Sequence, residues 1–218
     1  MSKKVHFVRH AQGEHNVAGE ANRENYLKDD YLDSILSPLG LEQCAKLNSK
    51  LREKNHLHDA DLIVVSPMRR TLQTATECFN HHVGKTPFVA LEALREKAGK
   101  HPCDNRLSIS EHRPVFPHVN FDEIEHEHDP LYPLFPDCRE PDESMNNRAR
   151  DFFEWMLKRE EENIIVVTHS AYLQAMFLNV LSVEYEQDEK FVWFENCELR
   201  SFHIELPTLK AKPHLKIY

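Results

Sequence analysis

Val5-His6-Phe7-Val8-Arg9-His10, close to the start of the chain, is a short apolar run that stops at an arginine and a histidine. A run of this kind is predicted to be a buried strand of a parallel sheet. A second run of the same form, Ile164-Ile165-Val166-Val167-Thr168-His169, lies near the other end. In open α/β sheets the reactive crevice lies outside the carboxyl ends of the strands. Two strand-terminal histidines with an arginine beside the first therefore predict one cationic pocket. Such a pocket suits a phosphoryl group, with His10 as its nucleophile.

Outward from these two runs, strand and helix patterns alternate, the order expected of an α/β protein. Ser37-Pro38 reads as a helix start, Ser as N-cap and Pro at the first helical position. Leu41, Cys44, Ala45, Leu47 and Leu51 follow it at helical spacing. Asp61 to Val65 is the next predicted strand, and Ser66-Pro67 a second helix start, for a helix running to about Phe79. Phe88 to Leu91 reads as a strand, Asp142 to Arg159 as a long helix, and Ala171 to Leu181 as the helix after the second histidine run. Val192-Trp193-Phe194 and Leu199 to Leu206 read as late strands. The expected fold is α/β: a three-layer sandwich with a mostly parallel central sheet and helices on both faces, forming one domain over residues 1–218. Residues from about 97 to 142 break the pattern. They hold Pro102, Pro114, Pro117, Pro130, Pro133, Pro136 and Pro141 with little periodicity, and are predicted to be an irregular insertion over the active site.

The 218 residues include 27 Lys and Arg against 36 Asp and Glu, a formal net charge of −9. This balance argues against nucleic acid as a partner, since that partner demands a basic face. It leaves room for a small anionic ligand, because a local Arg and His cluster outweighs a distant acidic surface. The five cysteines are scattered without a CxxC pair, which predicts reduced thiols and a cytoplasmic location. No apolar run approaches a membrane span, and Met1-Ser2-Lys3-Lys4 lacks a signal-peptide core. Nothing in the sequence specifies an oligomeric state.

Phosphoryl transfer needs an in-line nucleophile, positive charge around the equatorial oxygens and a proton for the leaving group. A histidine is that nucleophile when one ring nitrogen is neutral and free. Arg9 offers a planar fork to phosphate oxygens, and Asn16 a neutral donor. Arg69 and Arg70 follow the Leu62 to Val65 run by a few residues, at the mouth of the same crevice. Glu96, beyond the Phe88 to Leu91 run, is the candidate general acid. His15 either points into the pocket or flanks Asn16. Glu125-His126-Glu127-His128-Asp129 has a metal-ligand composition without zinc spacing and reads as a solvated acidic loop.

These segments carry a resemblance. Arg9-His10-Ala11-Gln12-Gly13-Glu14-His15-Asn16 resembles the opening signature of the histidine phosphatase superfamily, also called the phosphoglycerate mutase-like superfamily. Ser66-Pro67-Met68-Arg69-Arg70-Thr71 resembles its second signature, Leu94-Arg95-Glu96-Lys97-Ala98-Gly99 the acid segment, and Val166-Val167-Thr168-His169-Ser170 the second-histidine motif. All four occur in the family's order. The segment Gly99 to Arg106 resembles plant and fungal cytosolic members. The resemblance implies a phosphohistidine on His10, with Arg9, Arg70 and His169 holding the phosphate and Glu96 as acid. It implies no metal and no other cofactor. Arg106 or His101 is a candidate contact to the substrate beyond the phosphate, with an internal ion pair as the other reading of Arg106.

Three departures stand out. Ala11 replaces the usual glycine, Gly13 stands where many members have Ser or Thr, and Ser170 stands where glycine is frequent. The reading is a metal-independent phosphomonoesterase acting on a small phosphorylated metabolite. The alternatives are a phosphoglycerate mutase-type phosphoryl transfer, or a catalytically idle module that binds a phospho-ligand. The segment Glu96-Lys97-Ala98-Gly99 lacks the longer tyrosine-bearing stretch of typical mutases, which favours hydrolysis.

Overall fold

The computed structural model describes residues 1–185, 191 and 193–217. In chain order the strands and α-helices are β1 (Ser2–Arg9), α1 (Glu14–Ala21), α2 (Pro38–Glu53), β2 (Leu62–Val65), α3 (Arg69–Cys78), β3 (Phe88–Ala90), α4 (Ile109–His112), β4 (Val119–Asn120), α5 (Asp142–Leu157), β5 (Asn163–Thr168), α6 (Ser170–Asn179), β6 (Ser182–Val183), β7 (Leu199–Glu205) and β8 (Lys210–Ile217). They build an eight-stranded sheet in the order β4-β3-β2-β5-β1-β7-β8-β6. The strands β4, β3, β2, β5 and β1 run parallel, and β7 is antiparallel to both of its neighbours.

Alternation along the strands sorts the core into two layers, one on each face of the sheet. Val8, Ile63, Val65, Ile165 and Val167 pack on Cys44, Leu47 and Leu51 of α2 and on Leu72, Ala75 and Cys78 of α3. Val5, Phe7, Val64, Ile164 and Val166 pack on Phe152, Phe153 and Met156 of α5 and on Tyr172, Leu173 and Met176 of α6. Strands buried on both faces explain the continuous apolar runs of β2 and β5. The expected three-layer α/β sandwich is the observed one. Among the described residues no helix is long and apolar enough to cross a membrane.

Ser37 caps α2 as expected, its Oγ accepting from Gly40 N at 3.1 Å, a cap worth about 1 kcal/mol. The second Ser-Pro start behaves differently. Helix α3 begins at Arg69 after Met68, and Ser66 is left at the end of β2, where its hydroxyl meets His169. The strand expected at Val192-Trp193-Phe194 does not form over Trp193 and Phe194, while Val192 lies outside the described residues.

The segment 97–142 contains α4 and the edge strand β4, and it is tied down by buried ions. Arg95 pairs with Asp129 and with Glu92, Arg106 with Glu92 at 2.6 Å, and Arg148 with Glu140 at 2.7 Å. These pairs do for an irregular segment what apolar periodicity does for the sheet.

Candidate active site

The parallel pairing of Arg9 with Thr168 places the ends of β1 and β5 side by side. His10 N donates to Thr168 O at 2.9 Å, and Ser66 N donates to Val167 O at 3.0 Å. His10, Ser66 and His169 therefore converge at the carboxyl edge of the sheet, as the two sequence runs predict.

His10 is buried, and its Nδ1 lies 2.7 Å from Ala11 O. A carbonyl only accepts, so Nδ1 carries the ring proton and Nε2 keeps its lone pair. Burial first, then Arg70 and Arg9, hold the imidazole well below its ordinary pKa. The ring is neutral, and its Nε2 has no hydrogen bond among the described residues. His169 is also fully buried, its ring centroid 5.1 Å from that of His10 and its Nε2 2.8 Å from Ser66 Oγ. Burial and Arg70 push its pKa down as well.

Around these rings lies a cleft of about 210 Å³ lined by Arg9, His10, His15, Asn16, Tyr26, Arg70, Glu96, His101, Cys103, Asp104, Arg139, Ser170, Ala171 and Trp193. Arg9 is fixed by an Nη1 bond to Phe194 O at 2.7 Å. Arg70 is fixed by Nη1 to Cys103 O at 2.6 Å and Nη2 to Asp104 Oδ1 at 2.9 Å. The other Asp104 oxygen takes Arg139 Nη1 at 2.7 Å. Asn16 Oδ1 accepts from Gly13 N at 2.9 Å, which leaves its Nδ2 donors for another acceptor. His15 is buried, 5.8 Å from His10 between ring centroids and 6.2 Å from Tyr26, which in turn stacks on His101 at 5.4 Å.

Four buried nitrogens of this cluster have no hydrogen-bond partner among the described residues: Arg9 Nε, Arg70 Nε, His15 Nδ1 and His169 Nδ1. A buried donor left unpaired is expensive. Arg9 Nε and Arg70 Nε are obligate donors on side chains that line the cleft, and an oxyanion there would supply the acceptors they lack.

Glu96 takes an unforeseen position. Its Oε1 accepts from Lys97 N at 2.9 Å and Tyr172 N at 3.1 Å, and its Oε2 from Ala171 N at 3.3 Å. The carboxylate caps the first turn of α6, where backbone N–H groups and the helix dipole favour negative charge.

One sequence expectation is corrected. Arg106 does not face the cleft. Its Nε donates to Glu92, its Nη1 to Leu107 O and Glu127 O, and its Nη2 to His126 O and His128 O. Four of the five bonds stay inside the segment 97–142 and the fifth ties it to Glu92, so the internal ion pair is the right reading. His101, named with it, does line the cleft. Sequence reasoning missed Tyr26, Arg139 and Trp193. Arg139 lies in Pro136-Asp137-Cys138-Arg139-Glu140-Pro141, where no period assigns a face, and Trp193 falls in an expected strand that does not form over it.

The profile of the histidine phosphatase superfamily, branch 1, matches residues 5–211. The chain belongs to the histidine phosphatase superfamily. It is 36% identical to a phosphoglycerate mutase-like protein of Arabidopsis thaliana, over 93% of this chain and 84% of that protein. It is 28% identical to phosphoserine phosphatase 1 of Hydrogenobacter thermophilus, over 92% of this chain and 85% of that protein. The crystal structure of the alpha-ribazole phosphatase from Shigella flexneri superposes with a TM-score of 0.65 at 17% identity, covering 98% of this chain and 95% of that one.

Proposed function

We propose that this histidine phosphatase superfamily member is a phosphomonoesterase that hydrolyses a small phosphorylated metabolite through a phosphohistidine on His10. The observation that carries the reading is the set of four orphaned nitrogens around a neutral His10 whose Nε2 is free. A phosphoryl group would offer oxygens to the unpaired guanidinium N–H groups of Arg9 and Arg70.

The steps follow from that geometry. His10 Nε2 attacks phosphorus as the ester P–O bond breaks. Arg9, Arg70, His15 and His169 stabilise charge on the transferring oxygens, and Asn16 Nδ2 adds a neutral donor. Glu96 enters this step protonated and passes its proton to the leaving alkoxide from Oε2, the oxygen with the single, longer backbone bond. Glu96 then removes a proton from water, the hydroxide attacks phosphorus, the P–N bond breaks, and inorganic phosphate leaves. The cationic side chains supply the charge stabilisation, so the scheme routes no step through a metal. A cleft of about 210 Å³ suits a substrate of metabolite size.

Water rather than a second hydroxyl is the favoured acceptor because Glu96-Lys97-Ala98-Gly99 lacks the longer tyrosine-bearing stretch of typical mutases. Gly99, at φ +84°, lies against Phe135 and Cys138 O, which a Cβ there would meet at 2.4 Å. The phosphoserine phosphatase relative supports hydrolysis, and the mutase-like relatives keep phosphoryl transfer to a hydroxyl acid as the competing outcome.

Rapid quench with an aryl phosphate tests the reading. An acid-labile, base-stable phosphoprotein is expected on His10, absent in His10→Ala, with inorganic phosphate as product and no loss of turnover in a chelator. Phosphate appearing on an added glycerate instead of in solution would establish the mutase. An inert protein that still binds vanadate would be the idle binding module.

A further inference from the structure

Behind the nucleophile loop, on the α2 and α3 face of the sheet, three thiols meet. Cys44 of α2, Cys78 of α3 and Cys197 in the turn before β7 are buried, with all three sulfurs within 4.8 Å of one another. Cys78 Sγ and Cys197 Sγ are 3.5 Å apart, which is van der Waals contact. The phosphoryl chemistry uses none of them.

Both sides of the contact pair are attached to the loop that carries His10. Cys197 N donates to Arg9 O at 3.1 Å and to His10 O at 3.3 Å. The neighbouring Asn196 Nδ2 donates to His10 O at 3.1 Å. Cys197 itself sits at φ +59°, in the left-handed region that a residue with a side chain seldom adopts. Opposite, α3 carries Cys78 together with Arg70 and Thr74, and Thr74 Oγ1 accepts from Ala11 N at 3.0 Å. One thiol thus rides on the turn that holds the His10 carbonyl, and the other on the helix that holds Ala11 and the phosphate arginine.

We propose that Cys78 and Cys197 form a redox site that regulates the nucleophile loop, a hydroperoxide joining them in a disulfide that draws the turn away from His10. The chemistry balances with hydrogen peroxide as oxidant. One thiol, as its thiolate, attacks a peroxide oxygen; the O–O bond breaks and hydroxide leaves as water with the proton the thiol lost. The second thiol attacks the resulting sulfenic sulfur, the S–O bond breaks, and hydroxide again leaves as water with that thiol's proton. Two thiols are oxidised and one peroxide is reduced. The sulfurs must close by about 1.5 Å, from 3.5 Å to a disulfide bond length. The cluster lies in the apolar core with Val8, Ala11, Leu72 and Ala75. A disulfide is neutral there, whereas a soft metal ion held by three thiolates would bury net negative charge in an apolar layer. Burial pushes the Cys78 thiol up, so oxidation proceeds through local opening and is slow beside that of an exposed thiol such as Cys138.

The consequence for turnover rests on the phosphatase reading above, and the linkage does not. The full-length enzyme carrying Cys138→Ala is treated with hydrogen peroxide and followed by intact mass, non-reducing digestion and aryl phosphate turnover. The expected result is a loss of two hydrogens, a peptide pair linking Cys78 to Cys197, and a severalfold fall in turnover, all reversed by dithiothreitol. Cys78→Ala and Cys197→Ala should each abolish the link and the reversible loss, with melting curves showing that the variants fold. If Cys197→Ala fails to fold, Cys78→Ala alone carries the test. A link joining other cysteines, oxidation confined to Cys103, or full turnover in the linked enzyme would overturn the proposal. An untreated enzyme without phosphatase activity refutes the reading of the site, while a missing link in an active enzyme refutes the redox site.

Discussion

The imidazole of His15 fills the space in which a side chain on Gly13 would begin: His15 Nδ1 lies 2.5 Å from the position of a Cβ at residue 13. Gly13, one of the departures from the resembling signature, and the buried His15 are therefore two halves of one arrangement. His15 lines the cleft, and its Nδ1 has no partner among the described residues.

Gly13→Ser alone forces the His15 ring to move, and phosphate or vanadate inhibition should weaken by about tenfold, the loss of one hydrogen bond to a charged group. His15→Ala should weaken it by a similar factor. The double variant Gly13→Ser/His15→Ala has room for the hydroxyl, and inhibition should recover part of the way from His15→Ala. Additive losses in the double variant, measured as inhibition constants with melting curves alongside, would separate the two residues.

Asp104 holds Arg70 and Arg139 at once, with the carboxylate buried. Asp104→Asn removes the one charge that opposes both arginines. Anion affinity should rise and product release should slow, so the inhibition constant of phosphate falls while kcat falls with it. Stability should drop by about 3 kcal/mol or more, since two partly buried cations lose their counter-charge. Product inhibition and urea melts read the two effects separately.

What the chain revealed and what it hid follow one physical division. His10 and His169 were legible because a buried parallel strand is a continuous apolar run and the crevice lies at its carboxyl end. Glu96 was legible as a cleft residue, yet its cap on α6 was not, because the cap joins groups 75 and 76 residues apart. The wall made by His101, Asp104 and Arg139 is set by ion pairs between irregular segments, and ion pairs have no period. The same cause produced the error at Arg106: an arginine in an aperiodic segment near the acid looks the same whether its donors face a ligand or four carbonyls of its own loop and the carboxylate of Glu92.

Arg106 provides the check on that correction. Lysine cannot reproduce five donors in a planar fork, so Arg106→Lys should destabilise the fold by about 3 kcal/mol, with kcat/KM near that of the parent at temperatures where the variant is folded. A large loss of kcat/KM in a variant of unchanged melting temperature would return Arg106 to the substrate.

Stability should also fall in mild acid, and His6 isolates one source of the fall. His6 sits fully buried within β1, with Nε2 2.7 Å from Asn163 Oδ1 and Nδ1 2.6 Å from Ser201 Oγ. The amide oxygen only accepts, so Nε2 carries the proton and Nδ1 accepts from the Ser201 hydroxyl, a bond that a second proton on Nδ1 must break. Burial, the dominant cause, pushes the pKa down to about 4 from an ordinary 6.5. Below pH 6.5 the unfolded chain takes up a proton that the folded chain refuses, so the unfolded state binds more protons and stability declines as the pH drops. The decline from this group is about 1.4 kcal/mol per pH unit, reaches about 3 kcal/mol near pH 4, and then levels off once the folded protein also titrates. His10, His15 and His169 act with the same sign, which makes the total slope steeper. His6→Gln keeps a polar side chain in β1 but cannot titrate. Urea unfolding of both proteins at pH 7, 6 and 5 should give curves that converge as the pH falls, the parent losing more stability per unit than the variant. Parallel curves would mean that folded His6 takes up its second proton as readily as the unfolded chain does, with Nδ1 then donating to Ser201 Oγ.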